Sequence, residues 1–133
     1  MKWHLDTSAA LKLIVEEPES KALADAVDEH DVDLVAGYLL ATELRRAALR
    51  REELGQADVT AVLEFVSLVE MPDSLFREAG LLPGTNLRSL DALHLACAVR
   101  MGVHAVVTYD SRMAEAALGM GLSVKAFGST IIR

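Results

Sequence analysis

The spacing of apolar and polar residues changes period repeatedly along this chain. Trp3-His4-Leu5 is a short β-prone segment that ends at Asp6. Thr7 to Val15 places Ala9, Ala10, Leu13 and Ile14 on one helical face, and Glu16-Glu17-Pro18 breaks it. Glu19 to His30 repeats the helical spacing through Leu23, Ala26 and Val27, and Asp33 to Ala36 predicts a second strand before Gly37. Leu39 to Glu53 predicts a helix closed by Gly55. Ala57 to Val66 reads as helical, Val66 to Met71 as a third strand, and Pro72-Asp73 opens a helix reaching Ala79. Gly80 to Asn86 carries the turn pair Pro83-Gly84. Ser89 to Met101 predicts a helix ended by Gly102. Val103 to Thr108 is a nearly continuous apolar run, as in a strand buried on both faces. Ser111 to Leu118 is helical and Leu122 to Phe127 is a last strand. Strands alternating with helices predict an α/β fold with a parallel sheet covered on both sides. No repeat, low-complexity tract or linker interrupts the pattern, so residues 1–133 are expected to form one domain.

Composition narrows the function. Hydrophobic residues make up 52% of the 133 positions, enough for a real core and too many for a disordered chain. Thirteen Lys and Arg against twenty Asp and Glu give a net charge of −7. That balance argues against a broad basic face for nucleic acid. It suits a protein that gathers carboxylates at one place and fills them with cations. Cys97 is the only cysteine, which excludes a disulfide framework and a cysteine zinc site and fits a reducing cytoplasm. Asp6 interrupts the N-terminus before an apolar signal core can form. Uncharged stretches such as Leu34 to Thr42 fall far short of the roughly 20 residues that cross a bilayer. A cytoplasmic protein without a membrane anchor is expected.

The candidate chemistry lies in four acids. In an open parallel sheet, ligands bind outside the carboxyl ends of the strands, where the chain crosses from one side to the other. Asp6 ends the first strand and Asp110 follows the strand Val103–Thr108. Asp91 falls in the first turn of its helix, and Glu43 in the first turns of the helix after strand two. Each has a local alternative: Asp6 and Asp110 as helix N-caps, Asp91 against a helix dipole, Glu43 paired with Arg46. Together, however, four converging carboxylates repel one another and raise their pKa values, and a divalent cation relieves the repulsion. Mg²⁺ takes oxygen ligands and keeps several waters, as a hydrolase requires. Other chemistries find no support. His4, His30, His94 and His104 lack zinc-ligand spacing, and neither a P-loop nor a Gly-x-Ser-x-Gly elbow is present. Cys97 sits among Leu95, Ala96, Ala98 and Val99 as a small buried hydrophobe.

Four blocks in order then resemble a known family: Asp6-Thr7-Ser8-Ala9-Ala10-Leu11, Ala41-Thr42-Glu43-Leu44-Arg45-Arg46-Ala47, Leu90-Asp91-Ala92-Leu93-His94-Leu95-Ala96 and Val107-Thr108-Tyr109-Asp110-Ser111-Arg112-Met113. They are similar to the PIN-domain ribonuclease toxins of bacterial toxin–antitoxin pairs, the VapC type. The resemblance spans nearly the whole chain. It implies a three-layer α/β/α sandwich with a mostly parallel central sheet. It implies an endoribonuclease dependent on Mg²⁺, with Mn²⁺ as a substitute, that cuts single-stranded RNA, forms a homodimer and is neutralised by a cognate antitoxin. Carried over by position, Asp6, Glu43, Asp91 and Asp110 are the catalytic acids. Asp6 and Asp91, joined by Asp110, are the metal ligands, and Ser8 and Thr108 support them. Arg112 is a candidate phosphate contact, as is the group Arg45, Arg46, Arg50 and Arg51, which also reads as a solvated helix face. His94, at i+3 from Asp91, is expected to be a packed, hydrogen-bonded core residue. Gly37 stands where relatives often carry Ser. Leu39, Leu40, Leu44 and Ala48 either face the sheet or offer surface to a partner. Two alternatives remain: a phosphatase with Asp6 as nucleophile, although Ser8 stands where such enzymes carry a second Asp, and a non-catalytic partner-binding scaffold.

Overall fold

The computed structural model describes residues 1–129, so residues 130–133 of the expected 1–133 domain lie outside the described residues. Five strands, β1 (Lys2–Leu5), β2 (Asp33–Gly37), β3 (Val66–Val69), β4 (Ala105–Val107) and β5 (Val124–Lys125), form one sheet in the order β3-β2-β1-β4-β5, with every neighbouring pair parallel. The helices are α1 (Thr7–Lys12), α2 (Ser20–His30), α3 (Leu39–Arg50), α4 (Gln56–Glu64), α5 (Asp73–Gly80), α6 (Ser89–Met101) and α7 (Ser111–Gly119).

The period-2 alternation of the strands sorts the core into two layers. Trp3, Leu5, Leu34, Ala36, Ala105 and Val107 pack with α1 to α4, against residues such as Ala10, Leu23, Leu44 and Val59. Val106 points the other way, toward Leu95 and Ala98 of α6 and Met113 and Ala117 of α7. Leu75 and Ala79 of α5 pack on Ala92, Ala96 and Cys97 of α6. The result is the expected three-layer α/β/α sandwich. Its sheet is parallel throughout.

The sheet order places β1 centrally. The chain leaves β1 to build β2 and β3 on one side, then crosses to build β4 and β5 on the other. That reversal opens a crevice beyond the carboxyl ends of β1 and β4. Leu5 is in register with Val107, so the next residues, Asp6 and Thr108, stand side by side there.

Several element ends differ from expectation. Helix α1 stops at Lys12 rather than Val15, and its end tightens through i→i−3 bonds from Leu13 to Ala10 and from Ile14 to Leu11. Helix α3 stops at Arg50 because Arg51 turns extended and carries Leu54 into the core. Strand β4 starts at Ala105, since Gly102 adopts a left-handed C-cap (φ 62°) and Val103 still bonds back to Ala98. Strand β5 contracts to two residues. Leu40 and Leu44 are fully buried and Leu39 and Ala48 half-buried, so this apolar face turns inward. Among the described residues no helix is long and apolar enough to cross a membrane.

Candidate active site

Asp6 is the best-supported acid of the crevice. It is 3% exposed, and it caps α1 by accepting from Ala9 N at 2.8 Å on Oδ1. The same oxygen accepts from the Ser8 hydroxyl at 2.7 Å, while Oδ2 accepts from the Thr108 hydroxyl at 2.5 Å. Ser8 is held in turn by Tyr109 N at 2.9 Å, and Thr108 by Asp110 N at 3.1 Å. Burial raises the Asp6 pKa against the pull of Thr108, Ala9, Ser8 and the charge of His94. Capping and Ser8 therefore occupy Oδ1, while Oδ2 takes a single bond, from Thr108. Ser8 and Thr108, the two residues proposed from the sequence as supports, both hydrogen-bond Asp6.

Glu43, in the second turn of α3, does not pair with Arg46. Its Oε1 accepts from the Thr7 hydroxyl at 2.6 Å and bonds Nε2 of His94, which is 3% exposed on α6. Burial pushes the Glu43 carboxyl up. The hydrogen bond and charge of His94, with the Thr7 hydroxyl, outweigh it and hold the pKa below its ordinary value. Sequence reasoning anticipated His94 as a hydrogen-bonded core residue but not its partner, and it passed over Thr7. The signals were there: Thr7 adjoins Asp6, and His94 shares a helix face with Asp91.

Asp91 sits in the first turn of α6, half-buried. Its carboxylate makes no hydrogen bond among the described residues. Its pKa is raised, first by burial and then by the Asp110 charge, with Glu43 adding to the rise and His94 and Arg88 opposing it. Asp91 therefore feels the charges of both Asp110 and Glu43. Asp110 caps α7, with Oδ1 accepting from Arg112 N at 2.9 Å and Met113 N at 3.3 Å. Glu43 and Asp110 each tie one oxygen to the protein and leave the other without a bond among the described residues, Asp6 ties both, and Asp91 ties neither.

The remaining candidates divide. Arg112 is exposed at the start of α7, and its side chain forms no ion pair among the described residues. Arg45 is structural: it bonds Gln56 and Thr60 and fastens α3 to α4. Arg51 pairs with Glu53 at 3.0 Å. Cys97 is buried with its thiol pKa raised by that burial, which is inconsistent with a nucleophile.

The donor set suits a hard divalent cation, because each engaged site oxygen belongs to a carboxylate or hydroxyl. Among the described residues no three His, Cys, Asp or Glu side chains close into a metal cage, so Asp6, Asp91 and Asp110 are not drawn into one tight ring. Mg²⁺ does not need such a ring: it commonly takes one or two carboxylates and fills its shell with water. The residues present fit it.

Comparison with known proteins agrees with the fold. The sequence profile of the PIN domain matches residues 4–118. Ribonuclease VapC35 of Mycobacterium tuberculosis is 39% identical over 130 residues, spanning 94% of this chain and 96% of that protein. Ribonuclease VapC46 of the same organism is 38% identical over 125 residues, spanning 92% and 95%. In three dimensions the chain is similar to the crystal structure of VapBC2 from Rickettsia felis bound to a DNA fragment from their promoter. The TM-score is 0.71 at 13% identity, over 96% of this chain and 99% of that one. With the acids at the carboxyl edge of a β3-β2-β1-β4-β5 sheet and near-full-length relatives of this kind, the chain belongs to the PIN-domain family, among its VapC-like members.

Proposed function

We propose that this protein is a divalent-metal-dependent endoribonuclease, the toxin of a toxin–antitoxin pair, that cuts single-stranded regions of RNA in the cytoplasm and is neutralised by a cognate antitoxin. Asp91 carries the reading. It is a half-buried carboxylate with no hydrogen-bond donor among the described residues, its pKa raised by burial and by two neighbouring acids. Such an arrangement is costly unless a cation or substrate completes it. The ribonuclease names of VapC35 and VapC46 supply the reaction class.

Asp6 and Asp91 would hold Mg²⁺, or Mn²⁺ in its place, with Asp110 joining directly or through water. When bound, such an ion acidifies a water and offsets charge developing on a phosphoryl oxygen. Glu43 presents Oε2 as an acceptor that orients water toward the phosphodiester. Ser8 and Thr108 keep Asp6 in place through its two oxygens. Arg112 is placed to pair with an RNA phosphate. Ser8, two residues after Asp6 where an aspartyl phosphatase carries a second Asp, disfavours the phosphatase alternative.

An open apolar groove of about 440 Å³ between α1, α2 and α4, lined by Ile14, Val27, Val32, Val62 and Phe65, is the surface we assign to the antitoxin. Phe65 there is 80% exposed, and Asp28 and Asp58 in the lining favour a segment that is apolar with basic residues. We assign the exposed Phe76, Leu81 and Leu90 to the homodimer contact.

Labelled RNA incubated with pure protein tests the activity. Internal cuts with Mg²⁺ that vanish in EDTA and in Asp91→Asn are expected. An inert protein, or one that releases phosphate from small esters and leaves RNA intact, overturns the proposal.

A further inference from the structure

We propose that His94 is a positioning residue of this site, whose Nε2–H, together with the Thr7 hydroxyl, pins Oε1 of Glu43 so that Oε2 alone faces the reacting water. The inference rests on the ribonuclease reading above and deepens it. The pin draws on three elements. Thr7 begins α1, Glu43 lies on α3, and His94 lies on α6 in the opposite layer. Glu43 is thus clamped where the two helical layers meet at the sheet edge, and both lone pairs of Oε1 are spent on protein donors. A nitrogen facing a carboxylate oxygen must carry the proton, which fixes the donor as Nε2–H. A glutamate side chain has three rotatable bonds, and two donors on one oxygen hold it in a single rotamer before substrate arrives.

The surroundings of His94 show that packing alone does not account for it. Its ring lies edge-on to the buried His4 ring, with centroids 5.8 Å apart and planes at 70°. His94 Nδ1 and both nitrogens of His4 are buried without a hydrogen-bond partner among the described residues. An apolar residue at position 94 would fill that space and leave no nitrogen unpaired at its own place. The one bond that repays an imidazole there is the bond to Glu43.

The test compares the parent with His94→Gln, His94→Asn, His94→Leu and Thr7→Val. A glutamine amide reaches the place of Nε2, whereas an asparagine amide reaches only that of Nδ1. With Mg²⁺ and a single-stranded RNA, His94→Gln is expected to keep kcat within about threefold of the parent. His94→Asn and His94→Leu fall on the order of 10- to 100-fold with KM unchanged, and Thr7→Val falls less. In the metal-free protein, imidazole NMR is expected to show a slowly exchanging, downfield Nε2–H on His94 that disappears in Glu43→Leu. Folded His94→Asn and His94→Leu with parental kcat overturn the proposal. If those variants do not fold, Thr7→Val at parental kcat or a His94 ring protonated only on Nδ1 overturns it instead. A parent that fails to cut RNA refutes the ribonuclease reading, and the NMR signal still decides the contact.

Discussion

The Thr108 hydroxyl donates to Oδ2 of Asp6 at 2.5 Å, across 102 positions of sequence. The parallel register of Leu5 with Val107 makes the pair, because each residue follows the last paired position of its strand. The same hydroxyl oxygen accepts from Asp110 N, so one threonine organises two of the four acids.

Removing that hydroxyl leaves a buried carboxylate short of a donor. Thr108→Val is expected to destabilise the fold by about 1–3 kcal/mol and to lower RNA cutting, while Thr108→Ser keeps most of both. Urea unfolding of the two variants checks this. Equal midpoints for valine and serine contradict it.

Asp91 is expected to trade stability for function. Its folded-state pKa is raised, so the charged form opposes folding at neutral pH, and protonation relieves that cost as pH falls toward the ordinary carboxylate range. Asp91→Asn therefore abolishes cutting, yet in EDTA at neutral pH it melts higher than the parent by roughly 1–4 °C. The gap narrows as pH falls. A variant that melts lower than the parent in EDTA contradicts the crowded-acid account.

His4 supplies an acid liability. Burial, and next the charge of His94, push its pKa down to about 3 from 6.5. The unfolded chain takes up this proton below about pH 6.5 and the folded one does not, so stability falls with pH by up to about 1.4 kcal/mol per unit across that window. His4→Leu removes this slope. Its urea midpoint should drop less than the parent's between about pH 7 and pH 5. Parallel curves for the two proteins contradict the assignment.

The glycine at position 37 is explained by its neighbours. A Cβ there would lie 2.7 Å from Met71 Sδ and 3.2 Å from Cys97 Sγ. Gly37→Ala is expected to cost about 1–3 kcal/mol, and less in a Met71→Ala background. An equal cost in both backgrounds, measured by denaturant unfolding, rules out the clash with Met71.

The alternation of strands and helices was legible because each apolar face obeys one period. Helix α6 matches expectation from Ser89 to Met101, since Gly102 takes the left-handed cap its type favours. Element ends were less legible where tertiary bonds decide them. Leu54 pulls the chain out of α3 early, and the Tyr109 hydroxyl bonding Phe127 O holds the chain beyond the short β5. At the site, Asp6 and Asp110 were marked by their place after apolar strands. The link from Glu43 to His94 spans 51 positions and two layers, and no local spacing announces it.

Divalent-cation uptake by the metal-free protein tests the central claim most directly. Titrating Mn²⁺ and following its EPR signal should show binding by the parent and at least about tenfold weaker binding by Asp91→Asn. A parent that takes up no Mn²⁺, or an Asp91→Asn that binds it equally well, would contradict the claim that these acids converge to hold a cation.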